Sequence, residues 1–141
     1  MKKIIMTLLL AATSPTFAAD ADVITKLDPA WQEMERRVTG LIGPTHQKTL
    51  LDMAYAQVAV DACPGLALNS KAYEDSFGAM VAGPKKDAAE QRRFENTLMT
   101  DFGVYTGLIV AESFIDKPGF CKAVDGIKAR NGGPAKFWTS K

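Results

Sequence analysis

Residues 50–65, LLDMAYAQVAVDACPG, constrain this chain more than any other stretch. Drawn as a helix, they are apolar on nearly every side. Leu51, Ala54, Tyr55, Val58 and Ala62 make one face, and Met53, Ala56 and Val60 lie opposite. Only Asp52, Gln57 and Asp61 interrupt that surface. A helix of this kind has to be surrounded by protein, so the remainder of the chain must supply its neighbours. It ends at Cys63, and Pro64-Gly65 stops it.

The neighbours read as further helices. Asp28-Pro29 offers an N-cap with proline at the first helical position. Trp31, Met34, Val38, Leu41 and Ile42 then recur at helical spacing until Gly43-Pro44, after which Thr45 caps the central helix. Residues 19–27 are a short lead-in. Asn69 or Ser70 caps a third helix with a stripe of Tyr73, Phe77, Met80 and Val81, closed by Gly83-Pro84. A fourth runs from about Lys85 to Asp116, with Phe94, Leu98, Phe102, Tyr105 and Ile109 inside an arc of about 80°. Pro118 opens a fifth, with Phe120, Val124 and Ile127 inward, and Asn131-Gly132-Gly133-Pro134 stops it. No strand alternation, repeat or linker interrupts the pattern. The expected fold is all-α, a single compact bundle of about five helices with one disulfide.

Two features of the fourth helix set up tests. At about 45 Å it outreaches the second, at about 27 Å, so it must kink or project its charged start, KKDAAEQRR. Gly103, Gly107 and Ala111 recur every four residues opposite the aromatic stripe. Each glycine costs the helix about 1 kcal/mol against alanine, which predicts that another backbone packs closely there. The unbroken apolar run at residues 103–111 is too short to span a bilayer, and no transmembrane span is expected in the mature chain.

The N-terminus names the compartment. Lys2 and Lys3, the apolar residues 4–12, Pro15 and the small-x-small Thr16-Phe17-Ala18 make a bacterial-type signal peptide over residues 1–18. The competing reading is an uncleaved amphipathic anchor. Residues 19–141 then form one helical periplasmic or secreted domain. In that setting Cys63 and Cys121, the only cysteines, read first as a disulfide. Free thiols and a thiol metal site are the alternatives. In an up-down bundle the second and fourth helices run in parallel, so both cysteines come to one end. Without Lys2 and Lys3 the chain holds 15 basic against 16 acidic residues, which offers no basic surface to a nucleic acid.

Candidate sites are few. His46 is the single histidine, at the polar start of the second helix. Glu112 sits on the apolar stripe of the fourth helix, and Asp101 flanks it about 16 Å away. Asp61 borders the central helix beside Cys63. Tyr55, Tyr73 and Tyr105 suit a core or a cavity lining, and Met34, Met53, Met80 and Met99 suit gap filling. Phe137 and Trp138 stand in a polar tail, which either folds back or meets a partner. No metal or cofactor motif is present.

These residues point away from an enzyme. The expected function is an exported helical protein acting by protein–protein contact, as an accessory subunit or chaperone-like factor, with another envelope protein as partner. Asp61, Tyr105, Glu112, Phe137 and Trp138 are the candidate contacts. The alternative is a small apolar-ligand binder with a cavity between the second and fourth helices, lined by Tyr55, Phe102 and Tyr105. A third reading, acid–base catalysis by Glu112 with Asp61 or Asp101, needs those carboxylates to be close.

Overall fold

The computed structural model describes residues 18–83 and 87–140, with side chains from residue 27 onward. Residues 1–17 of the expected signal peptide and residues 84–86, with the start of the fourth predicted helix, lie outside the described residues. Four α-helices carry the fold: α1 Ala18–Ala62, α2 Ser70–Val81, α3 Ala88–Ile115 and α4 Lys117–Ala129. All-α architecture and the Cys63–Cys121 bond are as the sequence predicts; the count of five helices is not.

The count differs because the first two predicted helices abut at a kink at Gly43 with no loop between them, as two helical segments of α1. Within α1 only Gly43 is non-helical, at φ 78 and ψ 165, and Pro44 starts the next turn immediately. A single left-handed residue turns the chain without a loop, a conformation that glycine adopts at little steric cost. Upstream, the helix runs through Asp28 and Pro29 rather than starting there, so neither is an N-terminal signal in this fold.

The Gly43 turn lets both halves of α1 flank α3. Before it, Arg37 meets Asp101 and Trp31 meets Glu112, so the first half runs antiparallel to α3. After it, Met53 lies by Met99 and Phe102, and Cys63 bonds Cys121, so the second half runs parallel. Leu50, Met53, Ala54, Ala56, Val58 and Ala59 of the second half are buried, as expected of a helix apolar on all sides. From α3, Leu98, Tyr105 and Ile109 enter the same core. The length mismatch disappears because α1 covers α3 along both arms, and α3 stays a continuous helix capped by Asp87 through the N–H groups of Ala89 and Glu90.

Asn69 caps α2 by accepting from the Ala72 N–H, and Asp116 caps α4 by accepting from the Gly119 N–H. Beyond α4, Asn131 takes φ 52, and a 3-10 turn at Gly133–Phe137 leads the tail back over the bundle. There the sequence reading missed two short strands. β1 (Leu66–Leu68) pairs antiparallel with β2 (Trp138–Ser140), with Leu68 opposite Trp138. Three residues are too few to show alternation, and pairing between them depends on where the tail lands.

α3 is also long and apolar enough to cross a membrane, by length and composition alone. The unbroken apolar run of residues 103–111, read as too short to span, is shorter because it stops at the first charged neighbours, Asp101 and Glu112. In this fold one side of α3 is core.

The Cys63–Cys121 bond joins the end of α1 to the start of α4, with Cα atoms 5.5 Å apart. It closes a loop of about 59 residues, worth about 4 kcal/mol by chain entropy. Replacing both cysteines with serine is expected to lower the unfolding free energy by about that amount in urea titrations, with the helical signal in circular dichroism retained below the transition.

Candidate functional site

Two carboxylates of α3 turn towards the first half of α1. Asp101 is fully buried and takes a charge-assisted hydrogen bond from Arg37 of α1. Its second oxygen has no partner among the described residues. Glu112 is half-buried and accepts a 2.8 Å hydrogen bond from the Trp31 indole N–H. Trp31 in turn stacks on Tyr105 at 5.9 Å, and the Tyr105 hydroxyl accepts from Gln47 at 2.9 Å. One polar seam therefore stitches both halves of α1 to α3. Burial pushes the Tyr105 phenol above its ordinary range; the Gln47 bond opposes this, and the charges of Glu35 and Asp101 add to it. Burial, then the charge of Glu112, raises Tyr55, whose ring packs on Phe120 at 5.1 Å.

This seam is structural in form. Glu112 and Asp101 are separated by three turns of one helix, about 16 Å, too far to share a substrate atom. Asp61 is exposed on α1, accepting from Gln57 at 3.1 Å, and borders a surface groove rather than the seam. His46 is half-buried by a different hollow, beside Met80, Val81 and Phe94. Among the described residues no three His, Cys, Asp or Glu side chains lie together as metal ligands.

The aromatic tail docks. Phe137 is fully buried and Trp138 nearly so, and the Trp138 indole N–H donates to the Ala56 carbonyl at 3.1 Å. Both rings are core anchors, which leaves the outer surface to other residues.

Two grooves run along the flank where the second half of α1 meets α3. The larger, about 400 Å³, is lined by Met53, Tyr73, Phe77, Met99 and Phe102, with Glu74 and Gly78 at its edge. α2 forms one wall of it. Phe102 is the one lining residue it shares with the predicted cavity; Tyr105 lies in the core. The second groove, about 240 Å³, has Val58 and Ala62 on one side and Thr106, Val110 and Phe114 on the other, with Lys117 and Asp61 at its end.

Beside these grooves the outer face of α3 is bare among the described residues. The prediction that another backbone covers Gly103 and Gly107 is not met among the described residues: a Cβ placed on either meets none of their atoms within 4 Å. Met99, Val104 and Phe114 are exposed there, Phe114 at 83%. A wheel projection does show this face, but the glycine spacing alone could not say whether the cover belongs to this molecule. No family model, curated protein or solved structure matches this chain.

Removing Arg37 leaves Asp101 buried without its counter-charge. Arg37→Ala is expected to cost about 2 kcal/mol in urea unfolding, discounted because the arginine is half-exposed. Adding Asp101→Leu to that variant is expected to recover much of the loss, since the uncompensated carboxylate is then gone.

Tyr73 gives a pH test of the groove wall. Burial pushes its phenol up to about 12, with Phe102 and Phe137 packed edge-on at 6.2 and 5.8 Å. Unfolded, it ionises near pH 10, so the folded chain holds the proton longer. Stability is therefore complete below about pH 10 and falls as pH rises from there towards 12. Ultraviolet titration of phenolate absorbance is expected to show a late component that moves down to about 10 in urea.

Proposed function

We propose that this chain is an exported, non-enzymatic helical protein that works by protein–protein contact, as an accessory subunit or chaperone-like factor of the envelope. The observation that carries this reading is the polarity of α3. Between residues 96 and 115 its only charged side chains, Asp101 and Glu112, turn into the bundle, while Met99, Val104 and Phe114 face out. Monomeric soluble proteins seldom leave a contiguous apolar helix face uncovered, and such faces mark interaction sites. The disulfide fits an oxidising compartment, and the basic-then-apolar N-terminus supports export.

Export is tested by sequencing the N-terminus of protein recovered from the periplasmic fraction; the mature chain is expected to begin at Ala19. Contact is tested by affinity capture from envelope extracts. The wild-type chain is expected to retain a defined partner in stoichiometric amount, and Val104→Asp to lose it with helicity intact. A chain that stays monomeric, retains nothing and is indifferent to Val104→Asp would remove the reading.

The larger groove favours a second reading, a binder of small apolar ligands. Its lining is almost wholly apolar and its volume suits one aromatic or short acyl group. A rise in melting temperature with aromatic or lipid-like compounds, abolished by Phe77→Asp, would favour it over contact alone.

A further inference from the structure

We infer that the outer face of α3 pairs with α3 of a second copy of this chain, antiparallel about a two-fold axis at Gly107, each copy seating its Phe114 in the other's larger groove. This rests on reading that face as a contact surface and adds the identity of the occupant.

The register follows from helix geometry. A two-fold at Gly107 brings position 107+n of one copy opposite position 107−n of the other. Phe114 then lies opposite Thr100 and next to Met99, which with Phe102 forms the α3 wall of the groove and is the outer of the two. Gly107 meets its own mate and Gly103 meets Ala111. With no atom of the described residues within 4 Å of a Cβ at either glycine, the backbones are free to approach. Small residues at four-residue spacing favour that approach.

Sidedness agrees as well. Phe114 borders its groove together with Val58 and Ala62 of α1, and Phe102 borders the larger groove together with Met53 of α1. Ring and groove are thus on the same flank of α3. A two-fold axis normal to the plane of the helix pair keeps the two α1 flanks on one side, so the ring of each copy faces the groove of the other. Isologous contacts of this sort are reciprocal by symmetry.

Charge permits the pairing. The centre of the face carries no charge on either copy, so no like charges are opposed. At each end Lys117, beside Phe114, approaches Glu74 on the rim of the partner's groove. Asp61 at the same end lies on the α1 wall and is turned to Gln57. The strip from Met99 to Phe114 is about 22 Å long. Its area belongs with small, reversible interfaces, so the dimer is concentration-dependent.

Sedimentation equilibrium of the oxidised mature chain is expected to show a monomer–dimer equilibrium. Phe114→Asp and, separately, Gly107→Leu are expected to weaken it at least tenfold. Gly107→Leu has room in the monomer and improves helix propensity, so its melting temperature is expected not to fall. Benzoylphenylalanine at position 114 is expected to cross-link to Met99, Tyr73 or Phe77 of the other copy. A monomer at every concentration, a dimer indifferent to both substitutions, or cross-links elsewhere would overturn the pairing. So would flotation with phosphatidylglycerol vesicles that is lost in Phe114→Asp, which assigns the face to lipid. A monomer whose captured envelope protein is lost on Val104→Asp overturns the second copy alone and leaves the contact reading standing.

Discussion

The fold depends on one backbone conformation, the left-handed turn at Gly43. It reverses α1 within a single residue, so one helical element supplies both an antiparallel and a parallel neighbour to α3. A side chain at that φ would strain the backbone, and straightening the turn to helical values would carry the first half of α1 away from α3. Arg37 and Trp31 would leave Asp101 and Glu112 with it. The interior carboxylates are therefore compatible with folding only because of how the chain turns some sixty positions earlier.

That dependence explains the unusual polarity of α3. Burying a carboxylate costs free energy unless a donor meets it. Arg37 meets Asp101, and the Trp31 indole meets Glu112. With its acids turned inward, α3 has no charge left for its outer side between residues 96 and 115. The apolar outer face and the polar seam are two consequences of one rotation of the helix about its axis.

The other end of the molecule is held by unlike devices acting together. The disulfide ties α1 to α4, and the tail pairs β2 with β1, the segment directly after Cys63. Trp138 donates to Ala56 and buries its ring against the central helix. A covalent link, a two-strand ladder and a buried aromatic thus converge on the segment following α1. The grooves lie on the α1–α3 flank beside the bare face, the smaller of the two next to this anchored end.

The amino-acid sequence by itself determined the helical class, most helix stops, the burial of the helix from Leu50 to Ala59 and the cysteine pair, because these follow from periodicity, local caps and an even number of cysteines. It also showed Glu112 and Asp101 as acids out of place near an apolar stripe. Tertiary structure alone decided that Arg37 and Trp31 answer them, because partners 64 and 81 residues away leave no local signal. It decided that the first two predicted helices meet at Gly43 with no loop between them, since glycine before proline reads as a stop whether the chain loops out or turns in place. It decided the fate of Phe137 and Trp138, whose burial depends on a surface formed elsewhere. And it turned the Gly103–Gly107 spacing from a core contact into an open face, because periodicity records that a side of a helix is apolar and small, not which molecule covers it.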